Sequence, residues 1–165
     1  MAKIHINIGS NQNRETNISG AIDMLRMNFT QIKLSDVYES PAEGFEGDDF
    51  YNVGVNANTD LSAEDVNSVL KNIEKHFGRD TGQPKFSSRV IDLDLVFYDQ
   101  MIDAELNLPR DDILLYAFVL APLAQLSPQA IHPQQGQTYQ VLWQAFQDNN
   151  RFELSQYNIN KIIHE

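Results

Sequence analysis

Apolar and polar positions alternate along Arg89-Val90-Ile91-Asp92-Leu93-Asp94-Leu95-Val96-Phe97, the most informative stretch of the chain. Period two places Ile91, Leu93, Leu95 and Phe97 on one face of a strand and Asp92 and Asp94 on the other. The same period marks a first strand over Lys3–Ile8, with Ile4, Ile6 and Ile8 together, running into Gly9-Ser10-Asn11. It marks a second over Ile32–Tyr38 and a third over Phe50–Asn58, where Tyr51, Val53 and Val55 oppose Asn52, Gly54 and Asn56. Helical period appears over Arg14–Met27, with Ile18, Ile22 and Leu25 on the buried side. It appears again after Ser62, where Val66, Val69, Leu70, Ile73 and Phe77 form a stripe that Gly78 ends. Two polar segments, Glu39–Asp49 and Arg79–Ser88, are long enough to read as functional loops.

Beyond Asp99–Asp112, which reads as irregular, a short apolar helix is expected over Ile113–Gln125, bent or restarted at Pro122. Thr138 caps a last helix with Val141, Leu142, Ala145 and Phe146 on one face. No element is assigned to the tail, Asn149–Glu165. The order β-α-β-β-α-β predicts an α+β, ferredoxin-like sandwich: an antiparallel sheet with helices on one face and the long loops above the other. A C-terminal helical region is added to it. The whole chain, 1–165, is expected to be one domain, with a core at 1–123 and an extension at 124–165.

Composition narrows the function. The chain has 165 residues and a formal net charge of −11, which disfavours nonspecific binding to nucleic acid or anionic membranes. No apolar run approaches the roughly 18 residues of a membrane span, and the N-terminus has no signal-peptide block. Cysteine is absent, which suits a reducing, cytoplasmic setting and excludes thiolate chemistry. The 4 histidines show no zinc-ligand spacing.

The candidate chemistry is on the fourth strand. Carboxylates two residues apart on a strand are separated by about 6–7 Å and repel each other unless a cation lies nearby. Hard oxygen ligands suit Mg²⁺, which usually takes one or two carboxylates together with substrate phosphates. A solvated strand face accommodates the same pattern. Arg89, three residues earlier, adds weight to a metal–phosphate site, because guanidinium holds phosphate bidentately.

Several short stretches resemble the hydroxymethyldihydropterin pyrophosphokinases of folate biosynthesis across about residues 3–123. They are Gly9-Ser10-Asn11, Phe50-Tyr51-Asn52, Ile73-Glu74 with Gly78-Arg79, Arg89-Val90-Ile91-Asp92-Leu93-Asp94-Leu95, Leu108-Pro109, and Phe118-Val119-Leu120-Ala121-Pro122-Leu123. The resemblance implies diphosphate transfer from ATP to the hydroxymethyl group of a reduced pterin, with release of AMP. It implies two Mg²⁺ ions on Asp92 and Asp94 and catalytic charge stabilisation by Arg89. ATP contacts would come from Glu74, Arg79, Arg89, the Leu95 backbone and Arg110. The pterin would lie between Phe50 and Phe118, with Asn52, Ser40 and Gly9 at its edge. The implied partners are small molecules, and a monomer is expected.

The chain also departs from the family pattern. Arg110 follows Pro109 where histidine is usual, Leu114-Leu115-Tyr116 replaces a commonly basic stretch, and Thr81 stands where a further arginine is common. Positive charge around a triphosphate is thereby thinned. Two alternatives remain open: a pterin- or nucleotide-binding paralogue with weakened catalysis, and a two-metal phosphotransferase with another acceptor. An RNA-binding sheet of similar topology lacks its basic aromatic motif here.

Overall fold

A computed structural model describes residues 1–42, 47–78 and 91–163. Its elements in chain order are β1 (Ala2–Ser10), α1 (Arg14–Asn28), β2 (Thr30–Ser40), β3 (Phe50–Thr59), α2 (Ala63–His76), β4 (Asp92–Tyr98), α3 (Asp112–Leu115), α4 (Ala117–Leu126), α5 (Tyr139–Asn149) and β5 (Ser155–Tyr157). The strands form one antiparallel sheet in the order β4-β1-β3-β2-β5. Its first four members have the expected βαββαβ connectivity. The tail, which carried no readable period, supplies β5 along the outer edge of β2. Among the described residues no helix is long and apolar enough to cross a membrane.

The larger core lies between the sheet and the helices α1 and α2. Ile4, Ile6 and Ile8 of β1 meet Ile18, Ile22 and Leu25 of α1 and Val66, Leu70 and Ile73 of α2 in one buried cluster. Helix α2 starts where the sequence places it, because Ser62 Oγ accepts the Asp65 N–H at 3.2 Å. It ends at Gly78, whose φ of +80° suits a residue without a side chain.

The opposite face departs from expectation in four ways. First, it is not open: α4 packs across β2 and β3, so helices cover parts of both faces. Polar anchors hold α4 there. Gln125 Oε1 accepts from the Asp36 backbone N–H at 2.9 Å and from the Tyr38 hydroxyl at 2.8 Å. Burial, with the Asp36 charge second, pushes the Tyr38 hydroxyl up to about 12, so it stays a donor.

Second, Phe97 does not follow Leu95. The β1–β4 register slips between His5/Ile6, which pair with Phe97 and Leu95, so Val96 is an extra residue. This bulge turns Phe97 onto the α4 face, in a second cluster with Val96, Ile113, Leu120 and Tyr139. Third, the helix break falls at Tyr116, between α3 and α4, while Pro122 lies inside α4. Fourth, Val141 is exposed; α5 buries Tyr139 and Leu142 and half-buries Trp143 and Phe146 instead.

Candidate active site

The sheet itself builds the floor of the site on the α4 face. Ladder pairing sets Asp92 beside Gly9, Gly9 beside Asn52, and Asn52 beside Tyr38. A second row places Asp94 beside Asn7 and Asn7 beside Gly54. Asp92 and Asp94 are half-buried and alternate with buried Leu93 and Leu95, so both carboxylates share the face the alternation assigned them.

The residues expected at the pterin edge lie together. Asn52 is buried, and its Nδ2 donates to the Tyr38 carbonyl and to Ser40 Oγ, each at 3.0 Å. Its amide NH₂ is thus committed within the protein, and Oδ1 lies over Gly9, 3.5 Å from where a Cβ would stand. Phe50 Cδ1 is 3.8 Å from that same point. Gly9, Ser40, Phe50 and Asn52 therefore form one constellation. Phe118 is on the first turn of α4, half-buried and stacked on Tyr116 at 5.0 Å between ring centroids.

Arg110 joins the acidic pair. Its Nη1 is 3.7 Å from Asp94 Oδ1, while Nη2 and Nε reach Asp112 Oδ2 at 2.9 and 3.3 Å. Its backbone N–H donates to the Val96 carbonyl at 2.9 Å, which ties the segment to β4. Burial works against the guanidinium's charge, but Asp94, Asp112 and Asp92 outweigh it, so its pKa rises above an already high value. The guanidinium lies against Asp94 and within the field of Asp92. Among the described residues no three His, Cys, Asp or Glu side chains converge. Asp92 and Asp94 are the two carboxylates here that could hold a hard cation, completed by water and phosphate oxygens.

Two of the residues expected at the ATP site have buried side chains. Glu74 is buried at the end of α2, where Oε2 accepts the Leu93 N–H at 2.8 Å and steadies β4 from the core side. The Leu95 side chain lies in the larger core. Arg79, Arg89 and Thr81 lie outside the described residues.

One region carried no signal in the sequence beyond Asn11 of the first motif. A cavity of about 650 Å³ opens beside the start of α1, lined by Asn11, Arg14, Glu39 and Asp48 among others. Arg14 Nη1 donates to Glu39 Oε2 at 2.7 Å and to the Asp49 carbonyl at 2.9 Å, and its guanidinium covers the Tyr51 ring at 3.8 Å. Asn11 Nδ2 donates to the Asp48 carbonyl at 3.1 Å. These bonds fix the end of the first long loop against α1.

Behind Asn7, His5 is fully buried and stacked on Phe97 at 5.9 Å. Burial lowers its pKa from 6.5 to about 4, with the Asn56 hydrogen bond only partly opposing the shift. The unfolded chain therefore binds the proton first. Stability is full above about pH 6.5 and is expected to fall by on the order of 3 kcal/mol as pH drops toward 4. Buried His132, also lowered by burial, acts in the same direction. Urea melts at pH 7 and pH 4.5 check this, and His5→Phe is expected to flatten the difference.

An antiparallel α+β sheet carrying paired carboxylates and a guanidinium is a frame suited to an enzyme that handles polyphosphate. The family model described as 7,8-dihydro-6-hydroxymethylpterin-pyrophosphokinase matches residues 5–128. A 2-amino-4-hydroxy-6-hydroxymethyldihydropteridine pyrophosphokinase of Aquifex aeolicus is 34% identical over 137 residues, covering 81% of this chain and 85% of that protein. An enzyme of the same name from a Synechocystis species is 34% identical over 126 residues, covering 74% of this chain and 64% of that one. The wild-type HPPK-DHPS of Plasmodium falciparum, seen in a crystal structure, superposes with a TM-score of 0.69 at 13% identity. That match covers 98% of this chain and 46% of the other, and shows the shared fold. This chain belongs to the 7,8-dihydro-6-hydroxymethylpterin-pyrophosphokinase family.

Proposed function

We propose that this chain moves the β,γ-diphosphate of ATP as a unit onto the hydroxymethyl group of 6-hydroxymethyl-7,8-dihydropterin, releasing AMP. The observation that carries the reading is the placement of Asp92 and Asp94 on one face of β4, one ladder position from Gly9 and Asn7, with Arg110 against Asp94. The hydroxymethyl oxygen attacks the β-phosphorus. The new bond is O–Pβ, the bond broken joins Pβ to the α,β-bridging oxygen, that oxygen departs on AMP, and the hydroxyl proton goes to solvent.

Asp92 and Asp94 are the groups that would hold two Mg²⁺ ions, which when bound screen the triphosphate and lower the pKa of the attacking hydroxyl. Arg110 is near enough to pass from Asp94 to a phosphate oxygen as the site fills. Arg89 and Arg79 are proposed to add phosphate contacts, and the Leu95 backbone to border the adenine. Glu74 serves this ATP site by holding β4. Phe50 and Phe118 provide rings for the flat pterin, while Asn52 Oδ1, Ser40 and Gly9 meet its edge. The proposal includes a single-domain monomer working in the cytoplasm, in keeping with a cysteine-free composition.

Steady-state AMP release with Mg-ATP and the reduced pterin tests the reading; AMP that does not depend on the pterin overturns it. Other hydroxylated acceptors in the same assay separate a different phosphotransferase. Exposed Leu114 and Leu115, where basic residues are usual, favour a second reading as a binding paralogue with weak turnover. Calorimetry showing pterin binding in a chain that releases no AMP identifies it. Replacing Phe118 with alanine is expected to raise the KM for pterin about tenfold, since stacking adds roughly 0.5–1.5 kcal/mol to lost contact area. The KM for ATP stays near parental; equal increases for both substrates indicate collapsed packing.

A further inference from the structure

Two buried acceptors adjoin the acidic pair without a hydrogen-bond partner: His5 Nε2 and Asn7 Oδ1. Both side chains are on the α4 face of β1, two residues apart, and are 0% and 5% exposed. Leaving such atoms unanswered costs about 1–3 kcal/mol each, so an arrangement that satisfies both is strongly favoured.

The His5 tautomer is set from its far side. Asn56 Nδ2 donates to Ser127 Oγ at 2.8 Å, which leaves Asn56 Oδ1 to accept from His5 Nδ1 at 2.7 Å. Nε2 is therefore the bare nitrogen. It points toward Gly54, lying 3.1 Å from where a Cβ on that residue would stand. Gly54 is the ladder partner of Asn7, and Asn7 is in turn the ladder partner of Asp94. The ring nitrogen, the Asn7 amide and the Asp94 carboxylate thus follow one another across the floor.

We propose that His5 and Asn7 form a relay that adds a hydrogen-bond acceptor beside the cation site: His5 Nε2 accepts from Asn7 Nδ2, and Asn7 Oδ1 is turned toward Asp94. In the relay the Asn7 carboxamide is oriented with its NH₂ toward His5 and its oxygen toward Asp94, a choice between two groups of nearly equal size. Asn7 Oδ1 then accepts a hydrogen from a water bound to the cation, and His5 is the positioning residue behind it. The inference rests on the reading of Asp92 and Asp94 as metal ligands.

The test measures Mn²⁺ affinity of the full chain by electron paramagnetic resonance, independently of turnover. Asn7→Ala and His5→Phe are each expected to weaken binding about tenfold, the usual lower range for outer-shell partners of a metal. Asn7→Asp, which keeps shape and adds charge, is expected to tighten it by about the same factor, and carries the test should Asn7→Ala fail to fold. Affinities within twofold of the parent in these variants, with Asp94→Ala binding poorly, overturn the relay alone. Equal Mn²⁺ binding by the parent and Asp94→Ala overturns the metal reading beneath it. A ¹⁵N spectrum of His5 is expected to show Nε2 as a hydrogen-bond acceptor whose shift changes in Asn7→Ala; a shift indifferent to that substitution counts against the relay.

Discussion

Asp94→Ala is expected to release AMP at no more than about a thousandth of the parental rate, because charge stabilisation by a site of this kind amounts to several kcal/mol and each 1.36 kcal/mol is a decade. The fold is expected to survive. The Asp94 side chain is 31% exposed, belongs to neither apolar cluster, and contributes to the sheet through its backbone. Arg110 keeps its anchor at 2.9 Å on Asp112 when Asp94 is gone. Asp94→Asn preserves shape and removes only charge, so it should lose nearly as much. AMP assays beside thermal melts decide the matter: a near-parental rate in a folded Asp94→Ala chain removes the carboxylate from the reaction.

Gly54→Ala is expected to cause a comparable loss of a different kind. A Cβ at this position would stand 2.8 Å from Pro122 Cβ and 2.8 Å from His5 Cε1, closer than carbon atoms approach without bonding. Neither neighbour yields easily. The proline ring cannot rotate away, and the imidazole is held by Asn56 and by the Phe97 stack. Helix α4 must therefore shift from the sheet, at a cost of about 1–3 kcal/mol. For a chain of this size that lowers the melting temperature by roughly 5 °C. Because α4 carries Phe118, the KM for pterin is expected to rise as well. An unchanged melting curve would mean that α4 is seated more loosely than its contacts with Gly54 indicate.

The parts of the molecule that could be read from its sequence are those whose partners are local or periodic. The stripe of α2, its Ser62 cap and the alternation of β1 and β3 follow from spacing alone, and each became an element within a residue or two of expectation. The motif residues Gly9, Asn52, Asp92 and Asp94 were legible as chemistry, and the ladder brings them into adjacent positions. What could not be read depends on distant partners. Asn52, Gly54 and Asn56 look like an open polar face, yet Gly54 is small because α4 approaches there, and Asn56 is bonded to Ser127. The Tyr157 hydroxyl reaches Glu39 Oε1 at 3.1 Å, and that carboxylate binds Arg14, a chain of contacts without local periodicity. Val141 seemed to continue a helical stripe, but α5 rotates to bury Tyr139 beneath Phe97.

The extra residue at Val96 lets one short strand serve two masters. Before it, parity delivers acids to solvent and ligands; after it, parity delivers an aromatic ring to the scaffold under α5. Excising Val96 alone would restore regular pleating and leave Phe97 opposite His5, because Leu95 already pairs with Ile6. The chemical half of β4 would keep its lettering and Phe97 its side of the sheet, while the buried Val96 side chain and the carbonyl that holds the Arg110 backbone would go, so a single-codon deletion is a route to a chain with intact acids and a loosened Arg110 segment.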